Sequence, residues 1–411
     1  MKDKIGPVLR GVLWDGAYRR FVTFREKEAP DRSDVLTLPG DIIDAAGSEG
    51  ARPGGVGAGE ETLDPRIVEE IVEAVVDYEG RMNSLPRAIT VPGVGTWGTG
   101  ESYELAAQRA EGNLDAEGFL PVLPKTAMAR RATVMEGRIA VVTGGAQGFG
   151  AEIVGGLVDG GAFVVIADLN HQGAQRYAEE LNDRRGRIVA MAMEVNVSRQ
   201  DSVADLVGRA TAELGGLDLL VSNAGVLKAG SVKELSVLDF SLVTSVNYTG
   251  FFLCSRQASR VFELQNRGAE LAGRPAYFTD IIQINSKSGL EGSSKNGAYA
   301  GGKFGGIGLV QSFAKELITD RVKVNAICPG NFLDGPLWSD PKTGLFVQYL
   351  ETGKVPGAKT VEEVRRFYED KVPAGRGCTG DDVIRAIYYA VEQVYETGQA
   401  IPVTGGQVML S

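Results

Sequence analysis

Histidine is all but missing from this chain of 411 residues, His171 being the only one. That excludes histidine-rich metal sites, and no metal is expected. Cysteine is scarce as well, limited to Cys254, Cys328 and Cys378. An odd number at these spacings suits neither a zinc site nor a disulfide framework, so reduced thiols in a cytoplasmic setting are expected. Long apolar runs are lacking, and Met1-Lys2-Asp3-Lys4 is not followed by the apolar core of a signal peptide, so no membrane partner is expected. Excess positive charge is absent too: the net charge is −10. An acidic protein repels a phosphate backbone, which argues against nucleic acid as a partner. A small phosphorylated ligand stays open, because a few local lysines can hold one phosphate.

What is present suffices for a sizeable core, with 43% apolar and 23% charged residues, over a length that invites a split. Three segments are expected: 1–63, 64–136 and 137–411. In the first, Val8–Trp14 and Phe21–Phe24 read as short strands, and the Gly- and Ala-rich stretch 45–60 as a loop. In the second, Asp64 is a candidate N-cap and Pro65 a first helical residue. Ile67, Val68, Ile71, Val72, Val75 and Val76 recur at helical spacing, and Gly80 can close the helix. A strand at 88–91, a turn-rich loop at 92–100, a helix at 103–113 and a linker at 118–135 follow. From Gly137 onward, continuously apolar segments alternate with amphipathic helices. The strand candidates are 139–143, 163–168, 188–195, 219–222, 281–286, 322–327 and 400–403. Strands apolar throughout are buried on both faces. The expected fold is therefore α/β: a Rossmann-like, doubly wound parallel sheet with helices on both faces, plus a small N-terminal α/β extension.

Thr143-Gly144-Gly145-Ala146-Gln147-Gly148-Phe149-Gly150 follows the first of these strands and opens a helix. Glycines there allow a tight turn and close approach to a pyrophosphate, and the helix N-terminus offers it free N–H groups and partial positive charge. Asp168 ends the second strand. A carboxylate there can accept hydrogen bonds from both adenosine ribose hydroxyls and would repel a 2′-phosphate. Its neighbours Leu169 and Asn170 supply no arginine, so NAD is favoured over NADP. Asn223-Ala224-Gly225, at the end of the fourth strand, lets a cofactor lie against the backbone.

Tyr299 and Lys303 are four apart on an expected helix, 298–317, and share one face. An ammonium beside a phenol favours the phenolate and makes it a usable general acid/base. Ser286 ends the preceding strand, where carboxyl-end residues of a doubly wound sheet face the ligand crevice.

On these motifs, residues 137–411 resemble the short-chain dehydrogenase/reductase superfamily. The resemblance rests on the glycine loop at 143–150, Asn223-Ala224-Gly225, Asn247, Ser286, Tyr299-x-x-x-Lys303 and Pro329-Gly330. Within it the chain is similar to sorbitol-6-phosphate 2-dehydrogenases, through 282–289 (IQINSKSG), 303–309 (KFGGIGL), 330–333 (GNFL), 370–373 (DKVP) and 403–409 (VTGGQVM). The resemblance implies that Tyr299 takes the substrate proton and that Lys303 lowers its pKa and binds the nicotinamide ribose. It implies that Ser286 stabilises the substrate oxygen and that Asn247 holds a relaying water. Cofactor contacts would come from Gly144, Gln147, Gly148, Phe149 and Gly150, and from Asp168 and Leu169. Others would come from Asn196 and Val197, Asn223, Ala224 and Gly225, Tyr299 and Lys303, and Pro329 and Gly330. Asn196 stands where the superfamily usually has an aspartate near the adenine. The substrate would be a polyol or ketose phosphate such as sorbitol 6-phosphate, with Lys287, Lys295 and Lys228 as candidate phosphate contacts. An unphosphorylated polyol, or an NAD-binding sensor without turnover, are the alternatives. Residues 331–338 and the polar helix after them would form a lid over the substrate, with Trp338 either packing it or meeting substrate. A homo-oligomer, dimer or tetramer, is implied.

Residues 64–136 resemble the tail of a class II aldolase-like domain, carried by 88–100 (AITVPGVGTWGTG), the helix at 103–113 and the linker. That chemistry needs several histidines on a metal. Residues 1–136 contain none, so a structural or oligomerisation role is expected.

Overall fold

The computed structural model describes residues 2–14, 19–40, 42, 63–117, 134–276, 278–342, 344–351, 353 and 355–409. Seven short, apolar segments form one sheet: β5 (Ile139–Thr143), β6 (Phe163–Asp168), β7 (Ala190–Glu194), β8 (Leu219–Ser222), β9 (Thr279–Ile284), β10 (Val322–Pro329) and β11 (Ala400–Val403). Their order is β11-β10-β9-β8-β5-β6-β7, and every pairing is parallel. One buried apolar layer lies on each face, as strands without polar alternation require. The strand order reverses between β5 and β8, and there the crevice outside the carboxyl ends opens. Strand β9 stops at Ile284, so Ser286 lies just beyond the strand rather than at its end.

Ahead of this sheet stand helix α1 (Lys2–Val12), β1 (Phe21–Arg25), β2 (Val35–Thr37), α2 (Pro65–Met82), β3 (Ala88–Val91), β4 (Gly95–Gly100) and α3 (Tyr103–Ala110). The four strands make a second sheet in the order β1-β4-β3-β2. Position 63 therefore falls between strands of a single sheet. The strand expected at Val8–Trp14 is instead part of α1. Ile5, Val8, Leu9 and Val12 recur at helical spacing, and all are fully buried. The loop expected at 92–100 contains β4. Its glycines are packing features: a Cβ on Gly98 would lie 2.1 Å from Ala106 O of α3, so the helix crosses the strand where there is no side chain. Asp64 caps α2 as expected, accepting from Arg66 N at 2.8 Å. The helix runs past Gly80 to a left-handed Asn83 (φ 52°). The helix at 103–113 ends at Ala110. The loop at 45–60 lies outside the described residues, as does the linker except for 134–135.

Helix α6 (Gln200–Leu214) joins β7 to β8, and between β8 and β9 run α7 (Val237–Thr244), a π-helical turn (Ser245–Thr249) and α8 (Gly250–Leu271). The whole run, with mean hydropathy 1.3 over its most apolar window, is long and apolar enough to cross a membrane by composition alone. Its Asn247 is buried, and α8 is the principal support of α1. The crossing is close because a Cβ on Gly11 would lie 2.0 Å from Gln265 O, and one on Gly268 would lie 2.9 Å from Val8 O. Below the sheet, Arg10 of α1 reaches the loops before β5 and β8. Its guanidinium donates to Asp218 at 2.6 Å and to Gly137 O at 3.0 Å. Both partners of the Arg10–Asp218 pair have side chains with no exposure. Burial would raise the Asp218 carboxyl, but Arg10, Arg19 and Arg138 outweigh it and hold it down at about 2.

Candidate active site

The crevice begins with the turn after β5. Gly144 and Gly148 have φ of 65° and 58°, backbone that glycine adopts without strain. Gly150 is needed for closeness, since a Cβ there would lie 1.9 Å from Gly144 O. Helix α4 (Gly148–Asp159) starts from Gln147 without a side-chain cap and without an acidic residue in its first turn. Its N–H groups and dipole are thus free to meet an anion. Asn223 braces the turn by donating from Nδ2 to Thr143 O and Gly144 O, each at 3.0 Å. Thr143 Oγ1 in turn accepts from the N–H groups of Asn223 and Ala224 at 3.1 Å.

Asp168 sits at the end of β6, its Oδ2 accepting from Ala146 N at 3.0 Å and its Oδ1 from Asn170 N at 2.9 Å. The cap of the next helix, α5 (His171–Arg185), is Asn170 and not Asp168. The carboxylate is therefore tied to the glycine turn rather than spent on the helix. Leu169 is exposed beside it. Asn196 Oδ1 accepts from Ser198 N and Ser198 Oγ at 3.1 and 2.6 Å, which shapes the loop carrying the buried Val197. Gly330 follows β10 and donates to Val403 O at 2.9 Å. Phe149 stacks on Phe332 with ring centroids 4.5 Å apart, linking the glycine turn to the segment after Gly330. This cradle, with an open helix N-terminus at one end and a carboxylate at the other, fits a dinucleotide.

Beyond β9, Ser286 caps the one-turn 3-10 helix Lys287–Gly289, its Oγ accepting from Ser288 N at 3.1 Å. Helix α9 (Gly297–Leu317) carries Tyr299 and Lys303. Ser286 lies near enough to the Tyr299 hydroxyl to favour its ionised form. The Lys303 ammonium lies 5.5 Å from the Tyr299 ring centroid and donates to Ile284 O at 2.7 Å. The three side chains thus converge. The electrostatics differ from the expectation that Lys303 lowers the phenol. Burial pushes Tyr299 up, with Ser286 pulling the other way. Burial also pushes Lys303 down to about 8. Low polarity disfavours both charged forms at once.

Asn247 is in the π turn and 3% exposed. Its Oδ1 accepts from Val226 N at 2.8 Å and its Nδ2 donates to Val226 O at 2.9 Å, so its amide locks the end of the β8 segment. Asn285 was not singled out from sequence, although it lies in the IQINSKSG segment. It is buried, accepts from Ser286 N at 2.9 Å, and donates to Lys303 O at 2.9 Å and to Gln283 Oε1 at 2.7 Å. One side chain thus sets the spacing between the serine turn and the lysine helix. A buried amide next to a catalytic candidate is the only sequence signal for this.

Lys287 is half-buried beside Ser286, whereas Lys228 and Lys295 are exposed on two loops joined by Gly230 N donating to Lys295 O at 2.9 Å. After Gly330 come α10 (Pro336–Ser339), α11 (Leu345–Glu351) and α12 (Val361–Glu369). Trp338 is the centre of this segment's own core, against Phe346, Tyr349 and Tyr368, so its ring serves packing.

Residues 138–340 match the family model described as short chain dehydrogenase. The sorbitol-6-phosphate 2-dehydrogenase of Escherichia coli (strain K12) is 37% identical over 275 residues, 66% of this chain and 99% of that protein. The crystal structure of sorbitol-6-phosphate 2-dehydrogenase SrlD from Erwinia amylovora is 40% identical with a TM-score of 0.59, covering 66% of this chain and all of that one. The 3-ketoacyl-(acyl-carrier-protein) reductase from Brucella melitensis, solved with NADH, is 25% identical with a TM-score of 0.55 over 66% of this chain and 99% of its own.

Proposed function

Because this chain belongs to the short-chain dehydrogenase family, we propose that it oxidises a sugar-alcohol phosphate, such as sorbitol 6-phosphate, to the corresponding ketose phosphate with NAD. The convergence of Ser286, Tyr299 and Lys303 beside the glycine turn carries this reading. The enzyme is an oxidoreductase of CH–OH groups. A nicotinamide, when bound, supplies the acceptor for the hydride that leaves the carbinol carbon. Tyr299 takes the hydroxyl proton, and Ser286 Oγ steadies the oxygen as it becomes a carbonyl. Lys303, anchored on Ile284 O, brings positive charge towards the phenolate and the ribose. The Asn247 amide is committed to Val226, so the proton relay we assign to Asn247 runs through its main-chain carbonyl. Gly144, Gln147, Gly148, Phe149 and Gly150 would hold the pyrophosphate, Asp168 and Leu169 the adenosine ribose, and Asn196 and Val197 the adenine. Asn223, Ala224, Gly225, Pro329 and Gly330 would flank the nicotinamide half. The test is NADH formation with NAD and a panel of sorbitol 6-phosphate, sorbitol and mannitol 1-phosphate. Turnover confined to unphosphorylated polyols would overturn the substrate, and NAD binding without turnover on any polyol would overturn the activity.

The preference for NAD rests on the Asp168 carboxylate. Asp168→Ala is expected to narrow the NAD:NADP ratio of kcat/KM by about 10–100-fold, the worth of a charge-assisted hydrogen bond. Parallel titrations of both cofactors check it.

We also assign a cytoplasmic location and a homo-oligomer. Val237, Leu238, Phe240 and Leu242 of α7, Phe252 of α8 and Phe304 of α9 leave large apolar side chains exposed on neighbouring helices, and such a surface favours self-association. Phe304→Glu is expected to shift the protein towards monomer in light scattering. An unchanged mass would remove this face from the interface.

A further inference from the structure

Gln283 stands inside β9, paired with Ser222 of β8 on one side and Ala326 of β10 on the other, and is 2% exposed. A polar side chain buried in a central strand costs stability unless it has partners. Residues two apart in a strand share a face, and the side chains of Gln283 and Asn285 meet at the end of β9. Asn285 Oδ1 accepts from Ser286 N at 2.9 Å, and its Nδ2 donates to Lys303 O at 2.9 Å and to Gln283 Oε1 at 2.7 Å. Only this orientation of the amide works, because the reverse would set donor against donor and acceptor against acceptor. It leaves Gln283 Nε2 buried with no hydrogen-bond partner among the described residues. The main chain of Asn285 is fixed as well, its N–H donating to Ile327 O at 2.7 Å. Lys303 is thus tied twice to the end of β9, by its carbonyl to Asn285 and by its ammonium to Ile284 O. Two glycines make room for the amides. A Cβ on Gly289 would lie 2.1 Å from Asn285 Oδ1, and one on Gly306 would lie 2.4 Å from Gln283 Nε2.

We propose that Gln283 and Asn285 act as a positioning pair that sets where Lys303 and Ser286 stand relative to Tyr299, an inference that rests on the Ser–Tyr–Lys reading of the site. Neither amide reaches the reacting atoms; each acts through the groups it holds. Stability does not account for them. An apolar residue at 283 would leave no donor unpaired, and buried polar partners can be replaced by apolar groups of the same shape at little or no cost. What the amides supply is direction, in bonds of fixed length to the serine turn and the lysine helix. Segments 282–289 and 303–309 are therefore one physical unit: Gly289 houses the Asn285 amide and Gly306 the Gln283 amide. Placement at this level matters, since a shift of about 1 Å at reacting groups can cost about 100-fold in rate.

The test uses the full chain with Asn285→Ala and Gln283→Met, beside Tyr299→Phe. Steady-state kinetics with NAD and sorbitol 6-phosphate, or the polyol of the panel that the unaltered enzyme prefers, separate kcat from KM. Thermal melting and calorimetric titration of NAD give readouts independent of turnover. Asn285→Ala is expected to lower kcat by about 10–100-fold, with KM and NAD affinity within about threefold. Gln283→Met keeps the shape, removes the unpaired donor and takes away the brace on Asn285. It should lower kcat by about 3–10-fold while the melting temperature equals or exceeds that of the unaltered protein. A purely structural pair gives the opposite pattern, a lower melting temperature with kcat of the folded protein intact. A kcat within about twofold in both variants, in an enzyme that Tyr299→Phe silences, overturns the positioning role and leaves the Ser–Tyr–Lys reading standing. If Tyr299→Phe leaves kcat intact, that reading and this inference fall together. Should Asn285→Ala fail to fold, Gln283→Met decides: a kcat loss at undiminished melting temperature supports the pair, and an unchanged kcat, or a loss that comes only with a lower melting temperature, overturns it.

Discussion

Tyr299→Phe is expected to lower kcat by about 10²–10⁴-fold or more while leaving NAD affinity within about twofold. The substitution removes one oxygen from a side chain held between Ser286 and Lys303 and keeps the ring that packs in the crevice. The phenol has no substitute nearby. Ser286 is a poor base, and Lys303 spends a proton on Ile284 O at 2.7 Å. Oxidation needs Tyr299 in its base form, and burial raises its pKa, so turnover of the unaltered enzyme should climb as pH rises. Lys303 is pushed down to about 8 by burial, below the raised phenol, so the limb reflects two neighbouring groups rather than one. In Tyr299→Phe the residual rate should lose that limb. Progress curves of NADH absorbance across pH, together with calorimetric titration of NAD, check both halves. A Phe variant with unimpaired kcat would remove Tyr299 from the chemistry.

Arg10→Ala is expected to destabilise the protein by about 3–5 kcal/mol, the cost of leaving a buried charge without its partner. Asp218 would keep Arg19 at 3.6 Å and the Ile139 N–H at 2.7 Å, but it would lose a guanidinium that, like its own carboxylate, has no exposure. Because the folded pKa of Asp218 is depressed to about 2, its contribution is present above the unfolded carboxylate value and is lost as pH falls through the folded one. The variant should therefore lose stability at neutral pH and show a shallower decline in acid. Urea unfolding followed by circular dichroism at several pH values measures this. Arg10 also joins α1 to Gly137 O at the entrance to β5, so the experiment asks whether residues ahead of 137 are part of the catalytic unit's stability. An Arg10→Ala midpoint equal to that of the unaltered protein would make the N-terminal unit a passenger.

Much of the candidate site was legible in sequence because its signals are local. The glycine turn needs positive φ and close approach within eight residues, and Tyr299 and Lys303 meet through helical spacing alone. The parallel sheet follows from strands without polar alternation. The misread N-terminal elements failed for a related reason. In Val8–Trp14 the apolar residues are dense enough to pass for a strand, and only the longer window from Ile5 shows the helical period. The glycines of β4 look like turn residues until α3 is seen lying across them.

Composition and spacing alone determined that this chain builds a covered parallel sheet with a glycine turn, an acidic residue after the second strand and a Ser–Tyr–Lys constellation. Those features depend on neighbours a few residues away. The tertiary structure alone decided that Asn285 ties the serine turn to the lysine helix. It alone drove Arg10 beneath the sheet to reach Asp218. Each of these pairs partners by burial and charge across long sequence separations, and a contact made by folding over such a distance leaves no periodic trace in the chain.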